Sequence, residues 1–221
     1  MIRRSFASAV VAASVACASW LAVPAQAQSD TKVFRFVPHA NLAVLDPIWT
    51  TAYVTRNHAY MVYDTLFSED AQGNIKPQMV DTHTVSGDKK TWTFKLRSGL
   101  EFHDGKPVTS ADVVASLKRW ASRDAMGGVL NTFIDRYETP SADTFRMVLK
   151  EPCGIVLDAL GKSSSNVPFI MPERIANTPG TEQIKESIGS GPFIFKADEF
   201  QPGVKVVYVR SEEHTSELQS H

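Results

Sequence analysis

Between Thr91 and Trp120 the hydrophobic period of the chain changes once, and this change limits the fold more than any other feature. Trp92, Phe94 and Leu96 alternate with Thr91, Thr93 and Lys95, the period of a strand with one buried and one wet face. The segment 80–86 precedes it across Gly87-Asp88-Lys89-Lys90, so the two runs read as a hairpin. After the turn His103-Asp104-Gly105-Lys106 the period becomes helical. Thr109 is a good N-cap, Asp112 three residues on completes a capping-box-like start, and Val113, Val114, Leu117 and Trp120 share one side.

The same logic orders the rest of the chain. A first strand is expected at 33–37, ended by Pro38, and a loop then closes on Asp46-Pro47. A helix is expected over 51–66, with Tyr53, Tyr60, Tyr63 and Phe67 at near-helical spacing as a core stripe. Gly127-Gly128 reads as a break. A second hairpin joins 133–138 to 145–149 across Pro140-Ser141-Ala142-Asp143. Short helices are expected at 154–160, 172–176 and 181–188. Gly189-Ser190-Gly191-Pro192 turns into 193–195, which pairs with 204–209 across Gln201-Pro202-Gly203. Hairpins and short helices interleave, so the class is α/β or α+β.

The ends read differently from the middle. Arg3 and Arg4 precede an uncharged, apolar run from 6 to 23, and Ala25-Gln26-Ala27 supplies an A-x-A cleavage site. That is the layout of an export signal, removed on secretion together with Cys17. Cys153 is then left without an internal disulfide partner and reads as a small buried hydrophobe. The segment 210–221 breaks abruptly from the β-like run before it and matches the translation of a common sequencing-library adapter. It is therefore read as an artefact, and the chain as the front part of a longer protein.

Charge and motifs narrow the function. With 23 Lys+Arg against 24 Asp+Glu in 221 residues, the formal net charge is −1, which argues against a large nucleic-acid face. The sequence has no H-E-x-x-H, C-x-x-C, G-x-S-x-G or phosphate-loop spacing, so no catalytic residue, metal ligand or cofactor is assigned. His103 and Asp104 could supply two metal ligands for a secreted hydrolase, but at a glycine turn they read as turn chemistry. An exported, near-neutral chain of this kind points to binding rather than catalysis.

One resemblance sharpens that reading. Tyr63-Asp64-Thr65-Leu66-Phe67, the long run from Thr91 through Phe102-His103-Asp104-Gly105 to Val114, and Gly189-Ser190-Gly191-Pro192-Phe193 resemble the signature elements of family 5 solute-binding proteins of ABC transporters. This is the peptide, dipeptide, oligopeptide and nickel group. The resemblance implies an α/β fold of the type II periplasmic-binding-protein kind, two-lobed in the full protein. Only the first lobe and its extra subdomain would be present here. The boundaries it implies are 1–27 for the signal peptide, 28–50 for the start of the first lobe and 51–165 for the extra subdomain. The return to the first lobe is 166–209, and the artefact tail is 210–221.

The function implied is a periplasmic receptor, a monomer, that captures a peptide or peptide-like solute by lobe closure. It would deliver that solute to the permease of an ABC transporter without making or breaking a bond. An adaptor that keeps the fold without transport is the alternative from another class. By position in the family, ligand contacts are expected from Val44, Leu45 and Asp46 with Tyr53, from Trp120 and Met126, and from Ser165 and Asn166 with Ser190 and Gly191 behind.

Overall fold

The structure is a computed structural model describing residues 32–212, and it divides into two units at Val37 and Pro38. The signal-peptide segment and the segment beyond residue 212 lie outside the described residues. In the first unit, 32–37 has no regular structure, and Val33, Phe34, Phe36 and Val37 are exposed. The strand expected at 33–37 is therefore not formed. A strand needs a neighbour for its N–H and C=O groups, and none of the described strands pairs with this one.

The second unit is built on a four-stranded antiparallel sheet in the order β4 (Val80–Val85), β5 (Thr91–Leu96), β7 (Thr144–Leu149), β6 (Ile134–Ser141). Both hairpins form as their alternation implies. Phe94 lies opposite Phe145 in register, and the two fully buried rings stack at 4.8 Å. Helix α2 (Ser110–Ala121) starts with a complete capping box: the Asp112 amide donates to the Thr109 hydroxyl, and the Asp112 carboxylate accepts the Thr109 amide. Its other carboxylate oxygen accepts the Glu173 amide at 2.7 Å, which fixes the short helix α5 (Glu173–Ala176) beside α2. Val113, Leu117 and Trp120 are buried along α2, so the expected apolar stripe is the face it packs inward.

Three expectations are corrected. Helix α1 is shorter than expected, Tyr53–Val62, because Tyr63 turns extended and Asp64–Thr65 (β1) pairs with Phe169–Ile170 (β8). Phe67–Glu69 (β2) then pairs with Ile75–Pro77 (β3). Gly127-Gly128 does not break the chain but lies inside α3 (Ala125–Phe133). Asp124 caps that helix through the Gly127 amide, and a Cβ on Gly127 would sit 2.9 Å from the Ala121 backbone and 3.1 Å from the Trp120 ring. Glycine there lets α3 approach the end of α2. The segment 181–188 forms no helix. Its backbone is held from outside: the Ile184 amide donates to Asp46, and the Glu182 carbonyl accepts from Arg119.

Helix α4 (Val156–Gly161) covers β2 and β3, and β9 (Phe193–Phe195) pairs with β10 (Tyr208–Arg210). The closing strand is thus confined to the end of the expected 204–209 run and includes Arg210.

Candidate functional site

Three separate segments meet at one junction: the loop before α1, the C-terminal end of α2, and the segment 163–168. Buried polar groups tie them together. Asp46 and Arg119 form a two-pronged ion pair at 3.1 and 2.8 Å with both side chains almost fully buried. The remaining capacity of Asp46 accepts the amides of Ile48 and Ile184 at 3.0 and 3.1 Å. Arg119 also donates to the carbonyls of Thr178 and Glu182. Trp120 donates its indole N–H to the Asn166 carbonyl at 2.8 Å, and the Asn166 amide donates to the carbonyls of Pro47, Ile48 and Thr50. Asp46, Trp120 and Asn166 thus share one location, and each is occupied by protein partners.

Helix α1, which follows the first of these segments, presents other residues outward. Tyr53 is 63% exposed and Tyr60 is 40% exposed, whereas Tyr63 and Phe67 are buried. The aromatic stripe expected to be core therefore splits, with half of it presented to solvent. The Arg56 guanidinium lies 4.5 Å over the Tyr53 ring, and the Tyr60 hydroxyl donates to the Ser163 carbonyl at 3.0 Å. An open cleft of about 350 Å³ is lined here by Arg56, Tyr60, Phe67, Glu69, Lys162 and Ser163, among others. Lys162 is neutralised by the buried Asp124 carboxylate at 2.5 Å, and Glu69 accepts the Ser163 hydroxyl at 2.9 Å. Ser165, two residues beyond Ser163, is exposed with φ of 61°. Val44 and Leu45 are half-buried, and the Val44 carbonyl accepts the Thr55 hydroxyl. Met126 packs part-buried against the core.

Ser190 and Gly191 lie against the end of α1, apart from those contacts. The Gly191 amide donates to the Val62 carbonyl, and a Cβ there would come within 2.6 Å of the Val62 backbone. His103 donates through Nε2 to the Gly191 carbonyl at 2.9 Å, and Asp104 pairs with Arg174 and Lys106. Both residues of the metal-hydrolase alternative are thus joined to protein partners. Among the described residues no group of three or more His, Cys, Asp or Glu could hold a metal ion.

A second polar cluster was not legible as such. His58 shares its ring nitrogens with the hydroxyls of Tyr208 at 2.7 Å and Ser187 at 3.0 Å, and Tyr63 reaches Ser187 at 3.3 Å. Burial pushes the His58 imidazole down to about 4. Burial likewise pushes the Tyr63 phenol well above its ordinary range, with the Ser187 hydrogen bond opposing the shift. The partners lie 129 and 150 residues away in sequence, so only the helical placement of His58 was visible beforehand.

Residues 74–217 match the family model for bacterial extracellular solute-binding proteins, family 5 (middle). The chain belongs to this family. It is 44% identical over 206 residues to the probable peptide ABC transporter periplasmic-binding protein y4tO of Sinorhizobium fredii, which covers 91% of this chain and 38% of that relative. Among solved structures it resembles the binding protein MoaA of A. tumefaciens R10 in complex with mannopinic acid. That match has a TM-score of 0.67 and 27% identity over 80% of this chain and 36% of the other. A dipeptide-binding protein from Pseudoalteromonas sp. SM9913, in complex with Met-Leu, shares the fold at a TM-score of 0.66 and 21% identity, over 79% and 38% of the two chains. The chain thus spans little more than a third of the length of such relatives, and its fold is that of part of a type II periplasmic binding protein.

Proposed function

We propose that this chain supplies one wall of a periplasmic receptor that captures a peptide or peptide-like solute and presents it to the permease of an ABC transporter. The observation that carries this reading is the junction itself. Three segments distant in sequence are locked together by buried polar groups that are already paired, while Arg56, Tyr60, Glu69 and Ser163 are left lining an open cleft beside them. Rigid support behind an exposed aromatic and polar wall is what solute capture requires. Membership in the solute-binding family, and a 44% identical relative named as a probable peptide ABC transporter periplasmic-binding protein, support the same reading.

Capture would proceed by closure. A solute held on this wall and by the remainder of the full-length receptor shifts the population toward a closed form, which the permease then recognises. No residue of the junction is required to act as nucleophile, acid or base. Export through the segment 1–27 would place the receptor, as a monomer, in the periplasm.

The test is stabilisation of the full-length receptor by short peptides. At a hundredfold excess over Kd, a peptide that binds the folded state alone raises the unfolding free energy by about 2.7 kcal/mol. A saturable rise of that order across part of a di- and tripeptide panel is expected. No shift with any peptide at millimolar concentration would remove the capture reading and favour the adaptor.

A further inference from the structure

The charge of the cleft beside α1 is set in part by a residue that does not line it. Lys162 closes the end of α4 and contributes to the lining. Its side chain is only 15% exposed, and its ammonium is held by the Asp124 carboxylate, which is 1% exposed. Asp124 is the N-cap of α3 and lies outside the lining. Its two oxygens serve different partners. Oδ1 accepts the Gly127 amide at 2.8 Å and caps the helix, while Oδ2 takes Lys162. Capping accounts for one oxygen only, and Asn or Ser would cap as well without burying a charge. The second oxygen and the full negative charge are needed for Lys162 alone.

We infer that Asp124 is a specificity-determining positioning residue, which withholds the Lys162 ammonium from the cleft and so keeps the cleft from selecting acidic solutes. The inference rests on the capture reading above and narrows its solute class to peptides with uncharged side chains. Lys162 cannot turn to a bound anion at small cost. Doing so would leave the Asp124 carboxylate buried without its partner, and an uncompensated buried charge is strongly destabilising. Lys162 therefore offers the cleft its carbon stem and not its charge. The charged groups left in the lining, Arg56 and Glu69, are of opposite sign, so no net charge draws an acidic or a basic side chain. With Lys162 free, the lining would carry a net positive charge and favour glutamyl or aspartyl peptides. A pair that only braced α3 against α4 would affect stability. A pair that sets specificity also shifts the choice of solute, in opposite directions for its two members.

The experiment is calorimetric titration of the full-length receptor with Ala-Ala, Ala-Glu and Ala-Lys, repeated on Asp124→Asn and Lys162→Gln. Asparagine keeps an oxygen for the Gly127 amide but turns to Lys162 an NH2 group, a donor that an ammonium cannot accept from, so the lysine is released. The wild type is expected to prefer Ala-Ala. Asp124→Asn should raise the affinity for Ala-Glu relative to Ala-Lys by about tenfold, and Lys162→Gln should lower the same ratio by about tenfold, the scale of one uncompensated charge nearby. Equal losses for all three peptides, or a ratio that moves the same way in both variants, would make the pair a brace only and overturn the inference. A wild type that takes Ala-Glu more tightly than Ala-Ala would overturn it without any variant. A second measurement needs no solute: acetylation of the wild type by acetic anhydride, read lysine by lysine by mass spectrometry. Lys162 should react at least about fourfold more slowly than the exposed Lys76 and Lys106. Equal reactivity would place its ammonium in the cleft and sink the inference. If no peptide binds the wild type while Lys162 stays protected, the capture reading has failed, and the solute class falls with it.

Discussion

The junction and the face of α1 beside it hold two sets of polar residues, and they behave in opposite ways. Asp46, Arg119, Trp120 and Asn166 are buried, and the hydrogen bonds they make to the protein hold the segments together. Tyr53, Arg56 and Ser163, with Glu69 beyond them, lie at the surface with charges or hydrogen-bonding capacity left over. A polar residue near a binding surface is therefore not by that fact a ligand contact. Its remaining valence decides, and burial is what uses the valence up.

The sharpest way to break this contrast is to remove one side of the brace. Arg119→Met leaves the Asp46 carboxylate buried without its partner and should lower the urea unfolding free energy by about 3–5 kcal/mol. The double variant Asp46→Leu, Arg119→Met should recover part of that loss, though not the bonds Arg119 makes to Thr178 and Glu182. A loss below about 1 kcal/mol for the single variant would mean that the pair is not a brace.

The next effect concerns the buried cluster behind α1. The His58 imidazole titrates near 4 when folded and near 6.5 when unfolded. Between those values the unfolded chain binds the extra proton, so stability is complete above about pH 6.5 and falls as pH drops toward 4. The loss from this group is about 3 kcal/mol. Urea unfolding of His58→Asn measured across this range should show that much less pH dependence than the wild type. Equal slopes would place the titration elsewhere.

Much of the fold was legible because its determinants are local. The alternation at 91–96 and the Thr109–Asp112 box act over two to four residues, and both appear as read. The loop at Asp46, the end of α2 and the segment at Asn166 were singled out by family position, and the structure does bring them together. What stayed hidden is which members face out. Asp46 meets Arg119 across 73 residues and Trp120 meets Asn166 across 46, and no period or spacing reports such pairs. The same holds for Gly127, whose helical place depends on contact with Trp120 rather than on propensity. Arg56 and Glu69, which line the cleft, were not among the residues expected there. Arg56 carried a faint signal, a cation three residues after Tyr53 and so on the same side of the helix.

The most direct test of the division between brace and wall is one residue, Tyr53, read in two ways. It is largely exposed, and its ring touches Arg56 and His39. On Tyr53→Ala in the full-length receptor we would measure urea unfolding and Ala-Ala titration side by side. We expect stability within about 0.5 kcal/mol of the wild type, as for an exposed site, together with roughly tenfold weaker binding as Arg56 loses its support. Stability lost by more than about 2 kcal/mol with binding unchanged would contradict us, since Tyr53 would then belong to the brace and not to the wall.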